Sequence, residues 1–209
     1  MTVIIDYGMG NLRSILFKLQ KSNINAEISS DKNNILKAKK IILPGVGHFA
    51  EAMKNLEKRD LISVLNQKVL EDKTPIMGIC LGAQLLTEFS EEGNVAGLGW
   101  IKGRTTHFDF SGEEKRLPVP HVGWNTLKMK SKPDFWPDFP EDKRFYFTHS
   151  YYMSCERPED VVSVSTYGHE FASSIGRENI LGVQFHPEKS HYDGFELVKR
   201  FAEAEGAPE

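Results

Sequence analysis

Apolar and polar positions follow two rhythms along the chain, with a change near residue 95. In the first part, short apolar runs alternate with stretches whose apolar positions recur at three- and four-residue spacing. Val3-Ile4-Ile5-Asp6 is the first run, and a glycine-rich turn, Tyr7-Gly8-Met9-Gly10-Asn11, follows it. Leu12, Ile15, Leu16 and Leu19 then fall at i, i+3, i+4 and i+7, which predicts an amphipathic helix with Asn11 as its N-cap. Ala26–Ser29 and Lys40–Leu43 read as strands, the second stopped by Pro44-Gly45. Helical spacing returns over Phe49–Leu56 and Leu61–Leu70. A buried-type strand, Pro75–Ile79, comes next and ends at Cys80. Such alternation indicates βαβ units and a parallel sheet.

After about residue 95 the segments are short and extended, with turn residues between them: Trp100-Ile101, Thr105–Phe108, Val122–Leu127, Phe145–Ser150, Val161–Ser165, Phe171–Ile175 and Leu181–Phe185. Gly194–Ala204 reads as a closing helix. The expectation is an α/β domain with a central, mostly parallel sheet, extended by antiparallel strands and covered by helices on both faces. No linker, repeat or low-complexity stretch interrupts it, so residues 1–203 read as one domain and 204–209 as a frayed tail.

Composition narrows the function classes. At 209 residues the chain has room for one sizeable core. A formal charge of −3, with only a short Lys37–Lys40 cluster, leaves no footprint for nucleic acid or anionic lipid. No apolar run approaches the roughly 20 residues of a membrane span, and Met1–Asp6 reads as a strand rather than a signal peptide. The two cysteines, Cys80 and Cys155, lie in unlike settings, which argues for a reducing compartment. A soluble cytoplasmic protein is expected. His48, His107, His169 and His191 lack metal-ligand spacing, so no metal site is expected. Gly8-x-Gly10 lacks the third glycine of a dinucleotide loop.

The sharpest chemical feature is Gly78-Ile79-Cys80-Leu81-Gly82, directly after an apolar strand and before Ala83–Thr87, which can start a helix. This is a G-x-C-x-G version of a nucleophile elbow. Its glycines allow the sharp turn, and the helix N-terminus favours a thiolate. The blander reading is a buried structural cysteine. A thiolate needs a proton carrier, and that base needs an orienter. His186, in Gln184-Phe185-His186-Pro187-Glu188, ends an extended run, where residues i and i+2 project to one side, so Glu188 can reach its imidazole. Two exposed polar residues after a strand would look the same; Cys80 at another strand end makes the triad the better account. Pro44-Gly45-Val46-Gly47 is either an ordinary tight turn or a source of oxyanion donors, with the amides of Val46, Gly47 and Leu81 as candidates.

Gly-Ile-Cys-Leu-Gly-Ala-Gln together with Gln-Phe-His-Pro-Glu-Lys resembles the class I, triad-type glutamine amidotransferases. Pro44–Gly47, Pro120-His121-Val122-Gly123-Trp124-Asn125, Phe147–Tyr152 and His186–Ser190 are similar, within that family, to glutaminase subunits of imidazole glycerol phosphate synthases, and the likeness runs from Asp6 to about Phe201. The resemblance implies a flavodoxin-like domain that hydrolyses L-glutamine and passes ammonia to a separate (β/α)8-barrel synthase subunit in a heterodimer, for histidine biosynthesis. It implies Cys80 as nucleophile, His186 as base and acid, and Glu188 as orienter. Gln84 and Glu92 would hold the head group of glutamine, with Tyr146, His149 and Ser150 lining the same pocket. Asn11, Trp124 and Lys189 would face the partner. No cofactor is implied. His121 is given no chemical role, and Cys155 reads as an incidental thiol.

Two positions depart from the family pattern: Ala83, where methionine is usual, and His191 after Lys189-Ser190. They leave open a paralogue that supplies ammonia for an amidino group on a nucleotide sugar. A non-catalytic regulatory subunit, or a cysteine hydrolase acting on peptides or esters, could be built on a related scaffold. Intact Cys80, His186 and Glu188 argue against the regulatory subunit, and Gln84 and Val122-Gly123-Trp124 have no explanation in the hydrolase.

Overall fold

A computed structural model describes residues 1–112 and 117–204. The first apolar run forms β1 (Thr2–Ile5), buried throughout. It leads to α1 (Leu12–Lys21), β2 (Ala26–Ser29), α2 (Lys32–Leu36), β3 (Lys40–Gly45) and α3 (Phe49–Lys58). Next come α4 (Ile62–Asn66), continued by a π-helical turn over Gln67–Glu71, then β4 (Ile76–Cys80) and α5 (Leu81–Gln84). The second part holds β5 (Thr87–Ser90), β6 (Val95–Ala96), β7 (Ile101–His107), β8 (His121–Thr126), β9 (Lys128–Met129) and β10 (Arg144–His149). It continues with β11 (Tyr151–Cys155), β12 (Val161–Tyr167), β13 (His169–Arg177), β14 (Ile180–Val183) and α6 (His191–Glu203).

The sheet runs β2-β1-β3-β4-β14-β13-β11-β7-β5-β6, with β12 and β9 off the main path. Its first five strands are mutually parallel, in the strand order of flavodoxin-like folds. From β13 onward the pairing is mainly antiparallel. Alternation along the parallel strands sorts side chains to two cores. Val3, Ile5, Ile41 and Leu43 face α3 and α4 residues such as Phe49, Leu56 and Leu65. Ile4, Ile42 and Met77 face Ile15 and Leu19 of α1 and Leu197, Val198 and Phe201 of α6. The helices therefore cover both faces, as the apolar pattern predicts.

Several local expectations change. Asn11 stands at the N-cap of α1 but its side chain makes no capping bond. The Lys40–Leu43 strand does not stop at Pro44: it continues through Gly45, with Pro44 opposite Ile79 and Gly45 opposite Cys80. The ladder to β1 ends at Ile42, so Pro44 is paired on one side only, where a proline is tolerated. The short α2 lacks a periodic stripe; Asp31 starts it by accepting from the amides of Asn33 and Asn34. The helix expected after Cys80 is a single turn, and Thr87 turns the chain into β5 instead. Trp100-Ile101 and Thr105–Phe108 merge around a single strand, β7. Tyr151–Cys155 is a strand that the apolar pattern does not announce. Val122–Leu127 and Phe145–Ser150 do not extend the main sheet; β8 and β10 pair only with each other. Most of the tail expected to fray lies outside the described residues.

Candidate active site

Three parallel strands deliver their carboxyl ends to one edge of the sheet, and each ends in a residue singled out by the sequence. Gly45 closes β3, Cys80 closes β4, and His186 follows β14 by three residues. Cys80 holds φ +54° and ψ −111°, a region L side chains avoid, and such strain gathers at functional sites. Close backbone approach enforces it. A Cβ on Gly82 would run into the carbonyl oxygen of Leu43, and one on Gly78 would sit 2.7 Å from Gly82 O. The elbow thus docks against β3 only because these positions carry no side chain. The amides in the first turn of α5 have no intrahelical acceptor, and they begin directly at Leu81.

His186 and Glu188 are held by a tight turn rather than by an extended strand. His186 is itself extended, but Pro187–Lys189 forms a 3-10 turn, and it is this turn that brings Glu188 Oε1 2.9 Å from His186 Nδ1. The turn is tied down from three sides. His186 N donates to Tyr146 O at 2.8 Å, Ser190 Oγ donates to His186 O at 2.6 Å, and Lys18 Nζ donates to Glu188 O at 2.6 Å. Burial opposes a charge on the imidazole, but Cys80 and Glu188 beside it outweigh burial and hold it up to about 9. His186 Nε2 is buried without a hydrogen-bond partner among the described residues. With Nδ1 committed to the carboxylate, Nε2 is the position open to exchange a proton.

Cys80 and His186 line one cavity of about 420 Å³, together with Val46, Gly47, Leu81, Gln84, Glu92, His149, Ser150 and Lys189. The structure therefore brings together the three residues of the expected triad, the three expected oxyanion residues, and four of the five expected substrate residues. Tyr146 is the exception. Its ring packs toward Trp124, with centroids 5.8 Å apart, and does not line the cavity; its backbone is what serves the site, by holding His186. Gln84 is buried, and its Nε2 donates to Tyr151 O at 2.9 Å and Gln184 Oε1 at 3.1 Å. Glu92 Oε2 accepts from the Phe49 amide at 2.8 Å, so this carboxylate also steadies the start of α3.

The residues expected to face a partner divide. Trp124 is 41% exposed and stacks on His191, with centroids 4.8 Å apart and planes at 10°. Asn11 is half-buried before α1. Lys189 is exposed but also lines the cavity and lies over the Tyr146 ring at 5.7 Å. Ala83 is fully buried against Gly78 and Gly182. Cys155 is not beside the cavity, and burial pushes its thiol up to about 12.

Sequence reasoning overlooked Gln184, whose Nε2 lies 3.8 Å from Cys80 Sγ. The rule of alternation applied to Glu188 would have found it, since Gln184 precedes His186 by two residues. It also gave no role to Tyr7. That hydroxyl is buried without a partner among the described residues, against Gly45, and burial with Cys80 nearby raises it well above the usual phenol range. Thr148, Tyr151 and Pro120 complete the lining.

Among the described residues, no group of three or more His, Cys, Asp or Glu converges as a metal cluster, and no helix is long and apolar enough to cross a membrane.

Comparison with known proteins matches this arrangement to a family. The chain is 47% identical over 201 residues to the imidazole glycerol phosphate synthase subunit HisH 2 of Methanococcus maripaludis, covering 96% of this chain and 98% of that one. It is 43% identical to the HisH subunit of Neisseria meningitidis serogroup B, with 96% and 98% covered. In fold it is similar to a chain of the PurLQS structure from Thermotoga maritima, with TM-score 0.65, 19% identity and 96% of both chains covered. A glutamine amidotransferase of the same organism aligns with TM-score 0.64 at 17% identity, over 97% of this chain and 98% of that one. The family profile described as glutamine amidotransferase class-I matches residues 3–203. With an elbow cysteine, a buried His–Glu pair and that near-complete match, the chain belongs to the class-I glutamine amidotransferases.

Proposed function

We propose that this chain is the glutaminase subunit of an imidazole glycerol phosphate synthase, hydrolysing L-glutamine to L-glutamate and ammonia. The observation that carries the chemistry is Cys80 at the strained β4–α5 corner, in one cavity with a His186 whose Nδ1 is held by Glu188. Its assignment to that synthase is supported by relatives bearing the subunit's name along nearly their whole length.

In this mechanism Cys80 gives its proton to His186 and its sulfur attacks the glutamine carboxamide carbon. The tetrahedral oxyanion is received by backbone N–H groups at Val46, Gly47 and Leu81. Protonated His186 returns the proton to the departing nitrogen, so ammonia leaves and a glutamyl thioester remains. Water, deprotonated by His186, attacks that thioester; glutamate departs and the thiol is restored. Glu188 keeps Nε2 aimed at the reaction and balances the imidazolium. Gln84 and Glu92 take the α-ammonium group, and His149 and Ser150 enclose the head group.

Ammonia in water at neutral pH is mostly ammonium, which is no nucleophile. Delivery to a docked synthase subunit, a (β/α)8-barrel, avoids that loss. Trp124, with Asn11, Lys189 and the exposed Val46 and Val122, marks the docking face of a cytoplasmic heterodimer built on a single amidotransferase domain. The test is glutamate release by the purified chain with its synthase partner and acceptor. The unmutated chain is expected to turn over, and Cys80→Ala to be inactive; turnover by Cys80→Ala would refute the assignment. Hydrolysis with transfer only to another acceptor would move the chain to a paralogous synthase.

A further inference from the structure

Beside the cavity, with His149 in its lining, lies a buried histidine pair that the triad chemistry does not use. His121 and His149 face each other across β8 and β10, and both are almost fully enclosed. His149 Nδ1 lies 2.7 Å from Tyr151 O. A carbonyl only accepts, so Nδ1 carries the proton and, in the neutral ring, Nε2 accepts. His121 Nδ1, 3.0 Å from that Nε2, is then the donor. His121 Nε2 is left to accept from Asn125 Nδ2 at 3.5 Å. Donation therefore runs one way, from Asn125 through His121 and His149 to the Tyr151 carbonyl.

That carbonyl also accepts from Gln84 Nε2, which in turn reaches Gln184 Oε1. Two acceptors at Nε2 fix which way the Gln84 amide points, and they leave Oε1 for the cavity that Gln84 lines.

We propose that His121 is a positioning residue of the amino-acid site: with His149 it fixes the Tyr151 carbonyl, which orients Gln84 so that Oε1 meets the α-ammonium group of the substrate. The inference rests on the glutaminase function proposed above and adds a residue to which that function gave no role. It also changes the part played by His149. Both its ring nitrogens are occupied within the protein, so it acts through Tyr151 and not on the substrate.

The surroundings favour a neutral pair. The Tyr167 ring stacks on His121 at 4.1 Å and the Phe147 ring at 5.0 Å, and Phe108 and Phe171 pack against His149. Burial pushes His121 down to about 4 and His149 to about 3, the latter against the opposing effect of its Tyr151 bond and with help from His121 and His186.

The experiment compares the glutamine KM of the assembled synthase for the unmutated chain, His121→Phe and His121→Asn. The rate at which iodoacetamide alkylates Cys80, read on the Cys80 peptide, is measured alongside. Asn restores an N–H donor near the place of Nδ1. His121→Phe is expected to raise KM at least fivefold while Cys80 alkylation stays within twofold, and His121→Asn to recover most of the change. A smaller rise in KM, a matching loss of Cys80 alkylation, or no recovery with Asn overturns the proposal. Should His121→Phe fail to fold, imidazole 15N spectra of the unmutated chain decide. Both rings are expected neutral with the proton on Nδ1 at pH 6, and a protonated ring or an Nε2 proton on either overturns it. Lack of glutaminase activity in the unmutated complex would count against the proposed function instead, and the 15N spectra would still test the pair.

Discussion

At the scale of single residues, the site is a set of groups moved off their ordinary protonation in opposite directions. His186 is held up to about 9 from an ordinary 6.5, so the folded state binds its proton more tightly than the unfolded chain does. Its contribution to stability is full below pH 6.5 and fades as pH rises through about 9. Unfolding free energies of the unmutated chain and His186→Gln should therefore differ most below pH 6.5 and converge toward pH 9; a constant difference across that range would contradict this. His121 and His149 behave oppositely. Their depressed values cost nothing above pH 6.5, where both rings are neutral folded or unfolded, and stability is lost as pH falls from 6.5 to about 4 and 3. Cys80, His186 and Glu188 were legible in the sequence because each sits within a few residues of a strand end with glycine or proline to shape it. Tyr7 and His121 were not, because what gives each its place is a partner far away in the chain: Gly45 for Tyr7, His149 for His121; Gln184 was within reach of the sequence, two residues before His186 in the same extended run.

At the scale of elements, the elbow depends on backbones approaching too closely for a side chain. Gly82→Ala would drive a Cβ into Leu43 O, and a carbonyl in a paired strand cannot move aside. Overpacking typically costs about 1–3 kcal/mol, and this contact should reach or pass the top of that range. Denaturant titration should show the loss, with glutaminase activity falling along with it; a variant of unchanged stability and activity would mean that β3 and the elbow do not pack so tightly. Leu19→Ala, fully buried and outside the cavity lining, should cost about 2–5 kcal/mol while leaving the glutamine KM unchanged in the folded fraction. The inner parallel strands β1, β3, β4 and β14 were legible because they are buried throughout and rich in Ile and Val. The partition of later strands was not. Periodicity marks β8 and β10 as extended but cannot say that they pair with each other instead of joining the main sheet. A four-residue helix followed by a strand, as at α5 and β5, is likewise too short for a repeat of apolar positions to declare itself.

At the scale of the whole molecule, the exposed Trp124 is linked to the turn that carries His186 through Tyr146, whose ring lies 5.8 Å from the Trp124 ring and 6.5 Å from the His186 ring. A partner covering Trp124 would therefore press on the element that holds the base. The lone chain should hydrolyse glutamine only weakly, and the synthase subunit should raise the rate; full turnover by the isolated chain would contradict the coupling. Trp124→Ala should weaken the complex by about 2 kcal/mol, roughly thirtyfold in Kd, as read by titration calorimetry. An unchanged Kd would place the docking face elsewhere. The α/β architecture was legible from rhythm alone, but the proposed docking face rests on the resemblance, because an exposed tryptophan looks the same in sequence as a buried one.

The account turns on sulfur at residue 80 forming a bond to the substrate. Acid-quenching the synthase complex during glutamine turnover and weighing the Cys80 peptide measures that bond. A glutamyl adduct on Cys80, absent in Cys80→Ala, is the predicted result; steady glutamate release with Cys80 never modified would contradict it.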